Sequence, residues 1–421
     1  MSDLISYKLC DLYELSSGIS TKPEQAGHGH PFCSFSTIFN NPILPDELPD
    51  LMDTSEEERV TFSIKEGDAF LTRTSETVDE LAMSSVAVKD YPDATFSGFA
   101  KRLRPRKSGV IYPKYMAYFF RSPYFRKIVT NKAVMTLRAS FNEDIFNDIV
   151  IEVPNYEEQV RIGDCFFLIE QKIRNNKSIC SDLESIARLL YDYWFVQFDF
   201  PDENGRPYKS SGGKMVWNDE LKREIPEGWK TKNFLDFCNW ESASQPPKSE
   251  FVYEPRKGYV RFIQNRDYSS DENITYIPLK KTTKLCDEYD ILVDKYGDKT
   301  AGKIRYGIKG AYNVALGKIT SSMSYSQEYL RAFLSSDLMF QYLHNACLAS
   351  TRSSMNETVF IGIIVPIPDE KILIKYEKIM HNIIENILNL KQENRELVSL
   401  RGFLLPMLIN GQIKIEDVKA L

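Results

Sequence analysis

Three patterns in the chain could do chemistry. Pro201-Asp202 followed by Glu220-Leu-Lys222 matches the spacing of a PD…ExK nuclease. That chemistry needs its carboxylates at the ends of adjacent strands to hold Mg²⁺, and this stretch is rich in Gly and Ser. His28, His30 and Cys33 could supply soft metal ligands, but no fourth ligand lies near them in sequence. Gln245-Pro-Pro-Lys248 is superficially like an amino-methyltransferase motif, with glutamine at the polar position and lysine where an aromatic platform belongs. No Gly-rich cofactor loop and no GxxxxGK[ST] accompanies it. We therefore expect no enzyme, no catalytic residue and no metal.

Cationic clusters point elsewhere. Lys101-Arg-Leu-Arg-Pro-Arg-Lys107 holds five cations in seven residues, just after Ser97-Gly-Phe99. Arg102, Arg104, Arg106 and Lys107 suit tracking of a phosphate backbone; a charge-protected strand edge is the structural alternative. Arg73, Thr74 and Ser75 follow a strand-like Ala69-Phe-Leu71 and would place a donor group at a strand end. Between Lys295 and Lys309 stand Lys295, Lys299, Lys303, Arg305 and Lys309 against Asp298 alone, a local charge of +4. Tyr296 and the glycines 297 and 302 would let this stretch approach a duplex closely. Gln264, Asn265 and Arg266, after strand-like Tyr259–Ile263, have the side chains that read base edges.

These clusters belong to a chain of 421 residues, room for two or three domains. With 53 Lys and Arg against 59 Asp and Glu, the net charge is −6. A uniformly basic coat is excluded; a local basic face is not. Seven scattered cysteines without a CxxC pair fit neither a disulfide framework nor a zinc site, and they suit a reducing compartment. Neither a signal-peptide run nor a stretch of ~18 apolar residues occurs, so we expect a cytoplasmic protein without membrane contact.

The chain is two similar halves. Shifted by 214, they align without a gap from Tyr115/Tyr329 onward: Phe119/Phe333, Ser122/Ser336, Arg138/Arg352, Ser140/Ser354, Asn142/Asn356, Pro154/Pro368 and Leu190/Leu404 are identical. Upstream, Gly67–Arg73 echoes Tyr289–Lys295 in pattern only. Residues shared by domains that read different sequences should touch phosphate or support the scaffold, and we expect scaffold. Each shared segment ends in a β-branched run stopped by proline, Ile149–Pro154 and Ile363–Pro368.

Long heptad patterns follow. Ile162, Phe166, Ile169, Ile173, Asn176, Cys180, Leu183, Ala187, Leu190 and Trp194 step alternately by four and three. So do Tyr376, Met380, Ile383, Ile387, Leu390, Asn394, Leu397, Arg401, Leu404 and Leu408. Each predicts a helix of ~40 residues, ~60 Å long, with one polar core residue to set register. A turn-rich linker, Pro201–Lys214, separates the halves.

Leu189-Leu-Tyr-Asp-Tyr-Trp-Phe-Val-Gln-Phe-Asp-Phe-Pro201, Ile225-Pro-Glu-Gly-Trp229 and Leu397–Ile413 resemble the specificity subunit of type I restriction-modification systems over essentially the whole chain. That resemblance implies an α+β architecture in which two globular α/β-type target-recognition domains are separated by two long antiparallel coiled-coil helices, as a pseudo-twofold repeat. The expected segments are 1–155 and 227–369 for the recognition domains, and 156–226 and 370–421 for the helical regions. It also implies a non-catalytic reader of a bipartite DNA site, partnered by two adenine-N6 methyltransferase subunits and by restriction/translocase subunits. S-adenosylmethionine, ATP and Mg would belong to those partners. Tyr191, Trp194 and Phe195, clustered at a helix end, look like an anchor for a partner, with packing on the neighbouring domain as the alternative. The divergence of the two variable segments predicts an asymmetric, non-palindromic site, and one added helical turn should change its gap by one to two base pairs. A free-standing coiled-coil DNA-binding protein acting without a methyltransferase is the competing expectation; a chain soluble alone, with no apolar helix surface exposed, would favour it.

Overall fold

The computed structural model describes residues 4–20, 22–75, 77, 80–132, 139–271, 273–349 and 355–418. Two compact units divide the chain: residues 1–175 with 393–421, and residues 176–392. The helical regions are thus shared between the units rather than forming bodies of their own.

In the first unit, β1 (Ile5–Lys8), α1 (Leu9–Leu12) and β2 (Tyr13–Ser17) lead to β3 (Ala26–Cys33), α2 (Phe35–Asn40), β4 (Asp50–Met52) and α3 (Glu56–Thr61). Then come β5 (Ala69–Thr72), β6 (Thr74–Ser75), β7 (Ser84–Val86), β8 (Thr95–Phe96) and β9 (Ala100–Pro105). Helices α4 (Pro113–Phe119) and α5 (Pro123–Lys132), β10 (Ala139–Ser140), α6 (Glu143–Asp148) and β11 (Val150–Val153) complete it. One sheet has the order β2-β9-β5-β7. Its strand β5 is wholly buried, three apolar residues followed by Thr72, as expected of a strand covered on both faces. A second sheet, β4-β3-β8, pairs β3 with β8 in parallel. Strand β11 alternates exposed and buried residues, stops before Pro154, and pairs with β1.

Helix α7 runs from Tyr156 to Tyr191, spanning 36 residues. In the first unit its Ile162 and Phe166 share a core with Leu404, Leu408 and Ile409. Arg401 pairs with Glu170 at 2.6 Å, Lys172 with Glu393 at 3.3 Å, and Asn394 Nδ2 donates to the Ile173 carbonyl at 3.5 Å. Rising numbers on one side meet falling numbers on the other, so the two segments are antiparallel.

The second unit opens with the hairpin β12 (Met215–Asn218) and β13 (Arg223–Pro226), then β14 (Lys230–Asn233), α8 (Phe234–Phe237) and β15 (Cys238–Ser242). It continues with β16 (Tyr259–Ile263), β17 (Thr275–Pro278), β18 (Leu285–Cys286), β19 (Ile291–Asp294), β20 (Ile304–Arg305), β21 (Gly310–Tyr312) and β22 (Leu316–Ser321). Helices α9 (Gln327–Ser335) and α10 (Asp337–Ala349), β23 (Ile364–Ile367) and α11 (Glu370–Ile409) follow. Here too a four-stranded sheet, β15-β22-β19-β20, stands with a mixed sheet, β17-β16-β21-β18, and β14 pairs with β23. Within this unit α7 and α11 again meet antiparallel, through Cys180, Leu183, Ile384 and Ile387. Most heptad positions fall in the cores as the spacing predicts, Asn176 among them at 1% exposure, whereas Asn394, Leu397 and Arg401 are only half-buried. The expected linker is folded: Asp199 accepts from the Ser210 amide and hydroxyl at 2.7 and 2.5 Å, and Phe200 stacks on Tyr208 and Trp229.

The repeated residues do repeated work. Ser122 Oγ donates to the Phe119 carbonyl at 2.6 Å and Ser336 Oγ to that of Phe333 at 2.8 Å. Asn142 Oδ1 accepts the Ile145 amide, and Asn356 Oδ1 the Thr358 amide, both at 2.9 Å. Each caps the short helical turn before the last strand. Arg138, Arg352 and Ser354 lie outside the described residues. Asn142→Ala should therefore lower the stability of the first unit by about 1 kcal/mol, read by urea unfolding.

Candidate nucleic-acid interface

The same backbone construction holds the end of the inner strand in both units. In the first, the Arg73 amide donates to the Phe99 carbonyl and the Arg73 carbonyl accepts the Phe141 amide, each at 2.8 Å. In the second, the Lys295 amide donates to Ala315 at 2.8 Å and the Lys295 carbonyl accepts from Met355 at 3.1 Å. Phe141 and Met355 are themselves partners under the 214-residue shift. Thr74 and Ser75 form β6, paired with Ser140 and Ala139 of β10. The segment Arg73–Ser75 is thus built at a strand end, and Arg73 is exposed there.

The basic run around β9 is not an outward row. Arg102 is 8% exposed, donates to the Ser63 carbonyl at 2.7 Å and lies over the Phe96 ring. Arg104 grips the buried Asp68 carboxylate through Nε (2.8 Å) and Nη2 (2.6 Å), and that hydrogen bonding raises its pKa. Arg106 Nε donates to the Cys10 and Tyr13 carbonyls. The expectation that Arg102 and Arg104 track phosphate is corrected, since Asp68 and the Ser63 carbonyl hold their guanidinium groups; Arg106 is exposed and spends only its Nε on carbonyls. Lys107 remains exposed.

In the second unit, Gln264–Tyr268 forms a tight turn after β16. The Gln264 amide donates to Asp267 Oδ2 at 3.0 Å and Gln264 Nε2 to Thr275 Oγ1 at 3.2 Å. Asn265 is half-buried, and Arg266 is exposed with long contacts to Asn273 and Thr275, 3.4 and 3.5 Å, and to the Asp267 carboxylate at 3.8 Å. The basic stretch after β19 divides. Lys295 is buried, with Nζ 3.5 Å from Ser242 Oγ, and Arg305 grips Asp294 at 2.8 and 3.1 Å while lying over Tyr268. Burial raises the Asp294 pKa, and the Arg305 guanidinium opposes that rise. These two residues are corrected from DNA contacts to interior supports.

Tyr296, Lys299 and Lys303 are exposed on the loop between them. Helix α10 holds that loop from below. Cys347 Sγ donates to the Lys295 carbonyl at 3.4 Å, and His344 Nδ1 lies 3.1 Å from the Ala301 carbonyl. Gly302, at φ +87°, packs so closely that a Cβ would come within 2.9 Å of Leu343. A loop braced this way presents its lysines at small cost in ordering.

The aromatic anchor is also corrected. Tyr191, Trp194 and Phe195 are buried in the core of the second unit, where Phe195 packs edge-on to Tyr329 and Tyr376 at 4.7 Å. What the helices do expose is apolar and repeated: Ile186 and Leu189 (67% exposed) on α7, and Leu400 and Phe403 (61%) on α11. Each pair lies three residues apart, and the 214 shift carries one onto the other. Removing the heptad core positions from the aligned halves would have revealed them.

The enzyme-like patterns have local roles. Asp202 accepts the Asn204 and Arg206 amides at 2.8 Å, and Glu220 bonds Thr231 Oγ1. Gln245–Pro247 lines one side of a cavity of about 200 Å³ over Phe262 and Ile277. Cys33 is buried while His28 is exposed on an irregular stretch of β3.

Two units of one α+β design, joined in sequence by long helices that supply part of each core, define a class of duplicated, helix-spanned protein. Residues 226–398 match the family described as "Type I restriction modification DNA specificity domain". The MjaIX specificity subunit of Methanocaldococcus jannaschii is 29% identical, with 79% of this chain and 76% of that one covered. The HindI specificity subunit of Haemophilus influenzae is 24% identical, over 69% and 74%. The crystal structure of a type I S subunit from M. genitalium shares the fold, with a TM-score of 0.63 at 13% identity over 97% of this chain and 96% of that one. The chain is thus similar to the specificity subunits of type I restriction-modification systems over more than two thirds of its length. Among the described residues, no helix is long and apolar enough to cross a membrane.

Exposed and interior cations should separate cleanly in solution. Lys299→Ala and Lys303→Ala should each make the slope of log K against log salt shallower by about one, with little loss of stability. Arg104→Ala and Arg305→Ala, each stranding a buried aspartate, should cost about 3 kcal/mol in denaturant unfolding.

Proposed function

We propose that this chain is the non-catalytic DNA reader of a type I complex, each unit recognising one half of a bipartite, asymmetric site. The observation that carries this reading is the contrast between anchor and edge. Both units brace the end of their inner strand with the same hydrogen bonds, yet the side chains and loops mounted there differ. A shared support with different contact residues is what two different half-sites require.

Two copies of an adenine-N6 methyltransferase subunit dock on the helices, and restriction/translocase subunits join the assembly. S-adenosylmethionine, ATP and Mg are held by those partners. The repeated pairs Ile186/Leu189 and Leu400/Phe403 support two equivalent docking faces, since large apolar side chains exposed at matched positions suit matched partners. The same exposure weighs against a free-standing coiled-coil protein.

Long-read adenine-methylation sequencing of a host expressing the chain with its methyltransferase tests the reading. A split, non-palindromic motif that disappears without the chain is expected; a palindrome, or no motif from an assembled complex, would refute it. Leu189→Glu and Phe403→Glu should each reduce the complex from two methyltransferase copies to one in native mass spectrometry, and the double variant to none.

A further inference from the structure

The turn between β8 and β9 is held from every side. The Ser97 amide donates to the Cys33 carbonyl at 3.0 Å, the Gly98 amide to Ile19 at 2.8 Å, and the Ala100 amide to Ser97 at 3.0 Å. The Phe99 amide donates to Ser97 Oγ at 3.2 Å. A Cβ on Gly98 would meet the Ile19 carbonyl oxygen at 2.8 Å, so the backbone has no slack. Yet the side chain this turn carries, Phe99, is 68% exposed. Its neighbours across the sheet end are cationic. Arg73, bonded to the Phe99 carbonyl, is exposed, and Lys101 Nζ donates to Ser17 Oγ at 2.7 Å. Burial and then the Arg73 charge lower the Lys101 pKa, with Glu143 opposing.

The second unit lacks this arrangement at the equivalent place. Ala315 stands where Phe99 does, and Lys295 in the place of Arg73 is buried. Gly317 replaces Lys101 in the strand register, and the Trp240 ring covers it, 2.3 Å from where a Cβ would sit. An exposed apolar ring on a rigid turn, with two cations at the same sheet end, is therefore particular to the first unit. A ring with cations close by suits a partner whose phosphates flank a flat or methyl-bearing surface, which is the chemistry of a DNA groove.

We propose that Phe99 is a base-contacting, specificity-determining residue of the first unit, its ring packed on a thymine methyl or an opened base step while Arg73 and Lys101 hold adjacent phosphates. This rests on the DNA-reading function above. The test uses the whole chain with its methyltransferase. Phe99→Ala should weaken binding to the recognised duplex roughly 5- to 150-fold and relax the methylated motif at one position of one half-site. The other half-site should stay strict, and Phe99→Leu should retain most of the discrimination. Uracil in place of thymine in that half-site distinguishes the two contacts: a loss matching Phe99→Ala locates a methyl contact, and no loss locates a base-step contact. If the wild-type motif is split but Phe99→Ala leaves motif and affinity unchanged, Phe99 has no such role while the reader function stands. Uniform weakening at every position with a lowered Tm would make Phe99 structural and overturn the proposal. Absence of any motif from wild type would remove the reader function itself.

Discussion

A helix with an apolar stripe along its length must have that stripe covered, and in this chain the cover comes from more than two hundred residues away. Residues 162–173 meet 394–408 in one unit, and residues 180–190 meet 380–387 in the other. Burying these stripes contributes more than helix propensity can, since isolated helices of this composition are marginal in water. The pairing also decides which stretches belong to which unit. The β-rich part of each half is closed by a core to which the opposite half's helix contributes.

Much of this was legible beforehand because it is periodic. Heptad spacing gave the helices and their buried positions, and the constant offset gave the duplication; both signals accumulate over many residues. The strands ending at Pro154 and Pro368 were readable for the same reason, β-branching followed by a residue that cannot donate. What escaped were decisions made by single distant partners. Nothing near Arg104 announces that Asp68, thirty-six positions earlier, will be buried beneath it. Strand alternation hints that the cations of Lys101–Lys107 cannot all face one way, but not which are taken inward. Trp194 and Phe195 read as an anchor because aromatic density looks alike in a core and in an interface. Phe99 stands beside the cationic run in the sequence, but only its braced turn and its exposure in the fold single it out.

The two units show how little of a recognition surface the fold dictates. Asp68 and Asp290 occupy the same turn before the inner strand, each accepting an amide three residues earlier at 2.8 Å, and each meets a cation from the adjacent strand, Arg104 or Lys318. Around the end of that strand the units part company. One carries Phe99 on the short rigid turn before β9, the other a braced loop with lysines after β19. Such a division confines differences to positions where little else is packed, so substitutions there are tolerated by the core.

The make-up of the first unit bears on how the protein is made. Leu404, Leu408 and Ile409 complete a core begun by Leu9 and Leu12, so the earliest stretch to leave the ribosome cannot close its interior until nearly the last residues have been synthesised. The second unit, by contrast, has all of its chain between residues 176 and 392 and can close first. Synthesis in one direction thus yields assembly in the other order, with the N-terminal portion waiting partly open. Apolar surface left uncovered through that interval is the usual starting point for aggregation and for capture by chaperones. A chain broken off shortly before residue 404 would carry its defect at the opposite end from the break.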